Sequence, residues 1–292
     1  MKAIECKNIS KRFADVQALD DVSFVMEAGG IYALLGRNGA GKTTLLNCIC
    51  TRYVPDNGEV FLQEEPAVEN PRVLGDICFM TEHIDEFDLY AVKRILKMAA
   101  AFYPKWDEAR VEQLLTLFQI RRKDIYAALS KGRQAALGFI IGVCSGCSVV
   151  LFDEIYSGMD AVARKQMYEL LLEEQERQPR TFVISTHLIE EMAGLFTDVV
   201  MLDRGSVILA DDMETIHGRS YKCVGREEHK AHLEGKNILS VQTVGSVTEY
   251  MIYDDFAEEE LLKLRKQGMS VTAMTLQELF IAYTAEPLQV TK

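Results

Sequence analysis

Hydrophobic positions change rhythm several times along the chain, and each rhythm predicts a different element. Residues 1–35 read as short β segments, KAIECKNIS, DVSFVME and GIYALL. The last is an unbroken apolar run, as expected of a strand buried on both faces. A glycine-rich turn follows, then KTTLLNCIC as a helix, with EVFL and DICFM as further strands. From Leu89 to about Ala128 apolar residues recur at three- and four-residue spacing, which predicts a helical insert between two parts of a sheet domain. Within it Pro104 breaks the run, and Asp107 is placed to N-cap DEARVEQLLTLF. SVVLFD and TFVIST then alternate with the helix ARKQMYELLLEEQE, the signature of a parallel α/β sheet. DVVMLDRGSVILAD predicts a hairpin about Arg204–Gly205. Near His217–Ser220 the pattern resets to the alternating ILSVQTV and VTEYMIYD, the charged helix AEEELLKLRKQG and the helix TLQELFIAYT. The expectation is one large domain, 1–217, with a helical subdomain at about 83–145, followed by a small α+β domain, 218–292.

Composition narrows the setting. The 292 residues are 48% hydrophobic and 26% charged, enough to bury a real core. A formal net charge of −12 argues against holding nucleic acid through broad positive potential, and no nucleic-acid partner is expected. No window has the roughly 18 or more consecutive apolar residues of a membrane span. The first residues, MKAIECKNISKRF, lack the apolar stretch of a secretory leader. Any membrane role is therefore expected to run through a partner chain. Seven cysteines sit in apolar segments, and the Cys144-x-x-Cys147 pair has no second pair to complete a zinc site. They read as buried thiols of a reducing, cytoplasmic compartment.

The chemistry begins at GRNGAGKT, residues 36–43, a glycine-rich phosphate loop between a buried strand and a helix. Its glycines let backbone N–H groups turn inward around a polyphosphate. Lys42 supplies a point charge for the β- and γ-phosphates, and the Thr43 hydroxyl is a ligand for Mg²⁺. Asn38, Gly39, Ala40, Gly41, Lys42, Thr43 and Thr44 form the expected nucleotide-binding set. SVVLFDE, residues 148–154, is a buried strand ending in two acids. Asp153 is placed to hold Mg²⁺ through water, and Glu154 to polarise an attacking water.

Between these motifs stands LSKGRQ, residues 129–134, and here the chain resembles the ABC ATPase family. The segment is similar to that family's LSGGQ signature, with Lys131 and Arg133 replacing Gly and Gln. The resemblance implies that Ser130 and Gly132 grip the γ-phosphate of an ATP held by a second subunit, in a head-to-tail homodimer or heterodimer. It also implies that Phe13 stacks on adenine, and that Glu82, in ICFMTEH, reaches the metal or the attacking water. SGMD, residues 157–160, resembles the loop that crosses the dimer interface. His187, in VISTHLIEEM, matches the histidine that bonds the γ-phosphate and supports Glu154. The chain departs from the family pattern at Ile155–Tyr156, where Pro-Thr is usual, and at Met159, where Leu is usual.

The implied fold is a P-loop NTPase: a RecA-like parallel sheet core, an antiparallel β subdomain, a helical subdomain and a small C-terminal α+β domain. The implied activity is ATP hydrolysis with ATP and Mg²⁺, Glu154, His187 and Lys42 being catalytic and Thr43, Asp153 and Glu82 meeting the metal. The implied partner is a transmembrane permease subunit, which places the chain at the inner face of the cell membrane. AAAFYPKWDEARVEQLL and TLQELFIAYT resemble export-type members, which suggests an antibiotic, a peptide or another small hydrophobic compound as cargo. Two alternatives stay open at this point: a soluble ABC ATPase not tied to transport, and a weakly hydrolysing nucleotide-dependent regulator.

Overall fold

A computed structural model describes residues 1–285 of the chain. Residues 286–292, the end of the expected 218–292 domain, lie outside the described residues. From the N-terminus, β1 (Lys2–Phe13) and β2 (Val16–Glu27) pair antiparallel. β3 (Ile31–Gly36) precedes the phosphate loop and α1 (Lys42–Ile49) follows it. β4 (Asn57–Leu62) and β5 (Glu65–Pro66) return to the first sheet, and α2 (Pro71–Leu74) leads into β6 (Ile77–Thr81). The helical insert holds α3 (Val92–Phe102), α4 (Glu108–Leu117) and α5 (Lys131–Cys144). β7 (Val149–Asp153), α6 (Ala161–Arg177), β8 (Thr181–Ser185), α7 (Ile189–Met192), β9 (Asp198–Asp203) and β10 (Ser206–Asp212) follow. The remainder is α8 (Met213–Arg219), β11 (Ser220–Gly225), β12 (Ile238–Val244), β13 (Val247–Tyr253), α9 (Glu258–Lys266), β14 (Ser270–Ala273) and α10 (Leu276–Thr284).

Two compact units result: Met1–His187 with Gly194–Ala210, and Leu188–Ala193 with the chain from Asp211 onward. The expected boundary at 217 falls inside α8.

In the first unit the central sheet runs β10-β9-β3-β8-β7-β6, with β9, β3, β8, β7 and β6 parallel. Every residue of β3, β7 and β8 is buried, as their unbroken apolar runs require. β2 instead alternates, burying Val22, Phe24 and Met26 and exposing the residues between them, because its sheet, β2-β1-β4-β5, packs through one face. Gln134 to Cys144 of α5 are all buried, so this helix runs through the interior. Phe139 of α5 stacks on Phe152 of β7 at 5.7 Å between centroids, and Phe152 on Phe182 of β8 at 6.3 Å.

α4 starts where the sequence places it, with Asp107 Oδ1 accepting from the Arg110 N–H at 2.9 Å. The helix is tied to α6 by charge. Glu174 of α6 is fully buried and accepts from Arg110 Nε at 2.7 Å and Arg177 Nη2 at 2.8 Å, while Arg180 Nη2 stands 3.6 Å away. A carboxylate at this depth is tolerated only because cations surround it. The cysteines are free thiols, all buried except the half-buried Cys50. Burial pushes Cys78 up to about 12 and Cys147 up to about 11, so both stay protonated and unreactive near neutral pH.

The second unit is built on an antiparallel sheet, β12-β13-β11-β14. A short 3₁₀ segment, Glu227–Leu233, links β11 to β12, and α9 links β13 to β14. Cys223, Leu233, Tyr250, Ile252, Leu264, Met269 and Val271 form its core, and a Lys222–Glu278 ion pair joins β11 to α10. Among the described residues no helix is long and apolar enough to cross a membrane.

Candidate functional site

The site grows from the ends of β3, β7 and β8, adjacent parallel strands whose C-terminal ends face one way. Ligands of open α/β sheets bind beyond those ends. After β3 the loop closes onto α1 through Gly41, the helix N-cap, at φ 105°. A Cβ there would lie 2.6 Å from the Ala18 carbonyl oxygen, so only glycine fits. Lys42 is buried, and its ammonium donates to the Gly36 carbonyl at 2.7 Å and weakly to that of Arg37 at 3.5 Å. Asn38, Gly39 and Thr43 are exposed, Thr44 is half-buried, and Ala40 packs inward.

Thr43 Oγ1 donates to Asp153 Oδ2 at 2.7 Å. Asp153, the last residue of β7, is 6% exposed, and its Oδ1 is buried without a hydrogen-bond partner among the described residues. The next residue, Glu154, takes a left-handed backbone at φ 53°, unusual for a non-glycine residue. Its N–H donates to the Ser185 carbonyl at 3.0 Å, which fixes this turn against the end of β8. Glu154 Oε2 sits 2.7 Å from His187 Nδ1, and Oε1 is 3.9 Å from Lys42 Nζ. Such local strain is held where the surroundings over-determine it. Lys42, Thr43, Asp153, Glu154 and His187, from three separate segments, are thus joined by direct contacts.

Ser130 and Gly132 make their contacts elsewhere. Ser130 is exposed and N-caps α5, its side chain accepting from the Arg133 N–H at 3.4 Å. A Cβ on Gly132 would meet the Gly158 carbonyl oxygen at 3.1 Å. Gly158 itself has φ 72°, and a Cβ there would stand 2.9 Å from Lys131 Cβ and 3.3 Å from Glu82 Oε1. Glu82 is half-buried directly after β6, so it is placed against the loop after Glu154. That loop is anchored by Ile155, Tyr156 and Met159, all buried, and closes on Asp160, which N-caps α6. The departures from Pro-Thr and Leu are therefore core residues. Burial alone pushes the Tyr156 phenol far above its usual range, and its hydroxyl has no partner among the described residues.

Phe13 ends β1, 41% exposed, and meets Tyr53 edge to face with centroids 5.2 Å apart. Two contributors escaped the sequence reading. Ser185 acts through its carbonyl, which no residue type encodes. Tyr53 lies outside any motif, and its only signal is an aromatic shortly after the phosphate-loop helix.

The ABC transporter family profile matches residues 19–157. The chain is 26% identical over 283 residues to the ABC transporter ATP-binding protein YtrB of Bacillus subtilis (strain 168), covering 96% of this chain and 97% of that protein. It is 31% identical over 215 residues to the probable sulfate/thiosulfate import ATP-binding protein CysA of Chlorella vulgaris, covering 70% and 89%. Among solved structures, an ATP-binding subunit of an ABC transporter aligns with a TM-score of 0.66 at 24% identity, over 74% of this chain and 92% of that one, and so shares its fold. With the phosphate loop, the paired acids and the signature helix in one arrangement, the chain belongs to the ABC transporter family, as an ATP-binding, ATP-hydrolysing subunit.

Proposed function

We propose that the chain powers an ABC exporter: it binds Mg²⁺-ATP, hydrolyses it across a head-to-tail dimer of ATPase subunits, and drives a transmembrane permease. The observation that carries the chemistry is the contact chain from Lys42 and Thr43 through Asp153 and Glu154 to His187. In this reading the phosphate loop and the N-terminus of α1 cradle the polyphosphate, and Lys42 exchanges the Gly36 carbonyl for phosphate oxygens. Glu154 accepts a proton from the attacking water, and His187 holds that carboxylate in place and donates toward the γ-phosphate. The oxygen donors of Thr43 and Asp153 suit a hard cation, and the unpartnered, buried Asp153 Oδ1 leaves one acceptor free for it. When bound, Mg²⁺ supplies charge neutralisation at the phosphates. Glu82 stands against Gly158, and its role is to relay between the nucleotide and the permease.

Ser130 and Gly132, at the exposed N-terminus of α5, serve the ATP of the second subunit, which is either a copy or a homologue. Phe13 is the adenine platform. Export is supported by the likeness of AAAFYPKWDEARVEQLL and TLQELFIAYT to export-type members. Relatives whose names carry import cargoes, such as sulfate/thiosulfate and spermidine/putrescine, match about 70 to 75% of the chain. The direction of transport by such a subunit is therefore decided by its permease, and we place the chain at the cytoplasmic face of the membrane. The test is Glu154→Gln in the assembled complex. ATP still binds and turnover falls by about 100-fold or more, as loss of a general base requires. Turnover at the wild-type rate overturns the assignment. Accumulation of cargo in inside-out rather than right-side-out vesicles decides direction.

A further inference from the structure

We infer that Tyr53 is a positioning residue for the nucleotide base, holding the Phe13 ring in the plane on which adenine stacks. The inference rests on the reading of Phe13 as the base platform and adds a residue to which no role has been assigned. Phe13 sits at a tight turn: the next residue, Ala14, has φ 48°, and the ring is 41% exposed at the end of a strand. A side chain there has little to fix its rotamer except what touches it. Tyr53 does so, its ring 5.2 Å from that of Phe13 and inclined at 71°.

Tyr53 is itself held from both sides. Its N–H donates to the Asn47 carbonyl at 3.1 Å, which ties it to α1, the helix that begins at Lys42 and Thr43. The residues after it are stapled to β1. Lys11 Nζ donates to the Val54 carbonyl and to Asp56 Oδ1, both at 2.8 Å. The Arg12 N–H donates to Asp56 Oδ2 at 2.7 Å, and the Asp56 N–H to the Ser10 carbonyl at 2.8 Å. The Lys11 ammonium also lies 5.6 Å from the Phe13 centroid. The segment 53–56 therefore registers the phosphate-binding helix against the strand end that carries Phe13. Tyr53, like Phe13, is 41% exposed, so the pair leaves an aromatic corner open to solvent.

An edge-to-face pair contributes about 0.5–1.5 kcal/mol beyond burial, which corresponds to roughly a two- to twelvefold effect on binding when the pair is lost. Equilibrium binding of Mg²⁺-ATP and of base-free Mg²⁺-tripolyphosphate to the full chain tests the inference, with Phe13→Ala, Tyr53→Ala, Tyr53→Phe and the double Ala variant. Tyr53→Ala is expected to weaken ATP about three- to tenfold and to leave tripolyphosphate unchanged. Tyr53→Phe restores wild-type affinity, and the double variant binds ATP no more weakly than Phe13→Ala, because Tyr53 acts through that ring. Wild-type ATP affinity in Tyr53→Ala beside a weakened Phe13→Ala overturns the role of Tyr53 and leaves the platform standing. Wild-type affinity in both overturns the platform itself. Equal weakening of ATP and tripolyphosphate by Tyr53→Ala assigns the residue to the general integrity of α1 and overturns the inference.

Discussion

Removing the hydroxyl of Tyr156 should stabilise the protein, a direction opposite to that of most core substitutions. Tyr156 is 2% exposed and its hydroxyl has no hydrogen-bond partner among the described residues. An unpaired buried hydroxyl costs about 1–3 kcal/mol. Tyr156→Phe removes that cost and leaves a gap of about 10 Å³, which at about 24 cal/mol per Å³ returns only about 0.2 kcal/mol. The net gain is about 1 kcal/mol, or a rise of about 2–4 °C in Tm for a unit of this size. Urea unfolding read by tyrosine-independent circular dichroism checks it: the midpoint rises at unchanged slope. Tyr156→Leu, which also loses ring contacts, is expected to fall below wild type. A Phe variant destabilised by 1 kcal/mol or more would refute the reasoning, since it would mean that the hydroxyl is satisfied, for example by a buried water.

Other perturbations follow from the same accounting. Glu174→Gln leaves Arg110, Arg177 and Arg180 around a neutral amide, and a loss of about 3 kcal/mol is expected in chemical denaturation. Gly41→Ala pushes a Cβ against the Ala18 carbonyl at a backbone angle alanine avoids; ATP affinity measured by calorimetry should drop at least about tenfold. For Asp76, burial raises the pKa, but hydrogen bonds from Ser148, Gln63 and Lys105 outweigh it and hold the carboxyl below its usual range. Its contribution is therefore present above about pH 4 and lost as pH falls through the lowered value. Acid unfolding of Asp76→Asn should accordingly show a shallower loss of stability below about pH 4 than wild type.

The parts of the fold that could be read beforehand are those where burial is set by local pattern. β3, β7 and β8 announced themselves as apolar runs because both of their faces are covered. The cap at Asp107 was legible because one side chain and one N–H settle it. β11 and β14, SYKCVG and SVTA, were not, since half of each strand is polar and their pairing partners lie about 20 to 50 residues away. The membership of Leu188–Ala193 in the second unit was equally hidden, because it depends on contacts with chain that follows Asp211. In the site, residue types that act through side chains were visible and those acting through backbone were not. The Ser185 carbonyl that accepts from Glu154 is the clearest case. Ile155 and Tyr156 show where a departure from a family pattern can be placed: both side chains pack in the core beneath the loop.

The ion cluster around Glu174 sets a limit on how this protein can be recombined. Arg110 belongs to the helical insert, whereas Glu174, Arg177 and Arg180 belong to α6 and the turn after it. A chimera that imports the insert of a relative without arginine at that place would bury an acid short of its strongest donor. The insert and α6 therefore form one heritable block, tied through Arg110 and Glu174, 64 positions apart in sequence, and exchangeable only together.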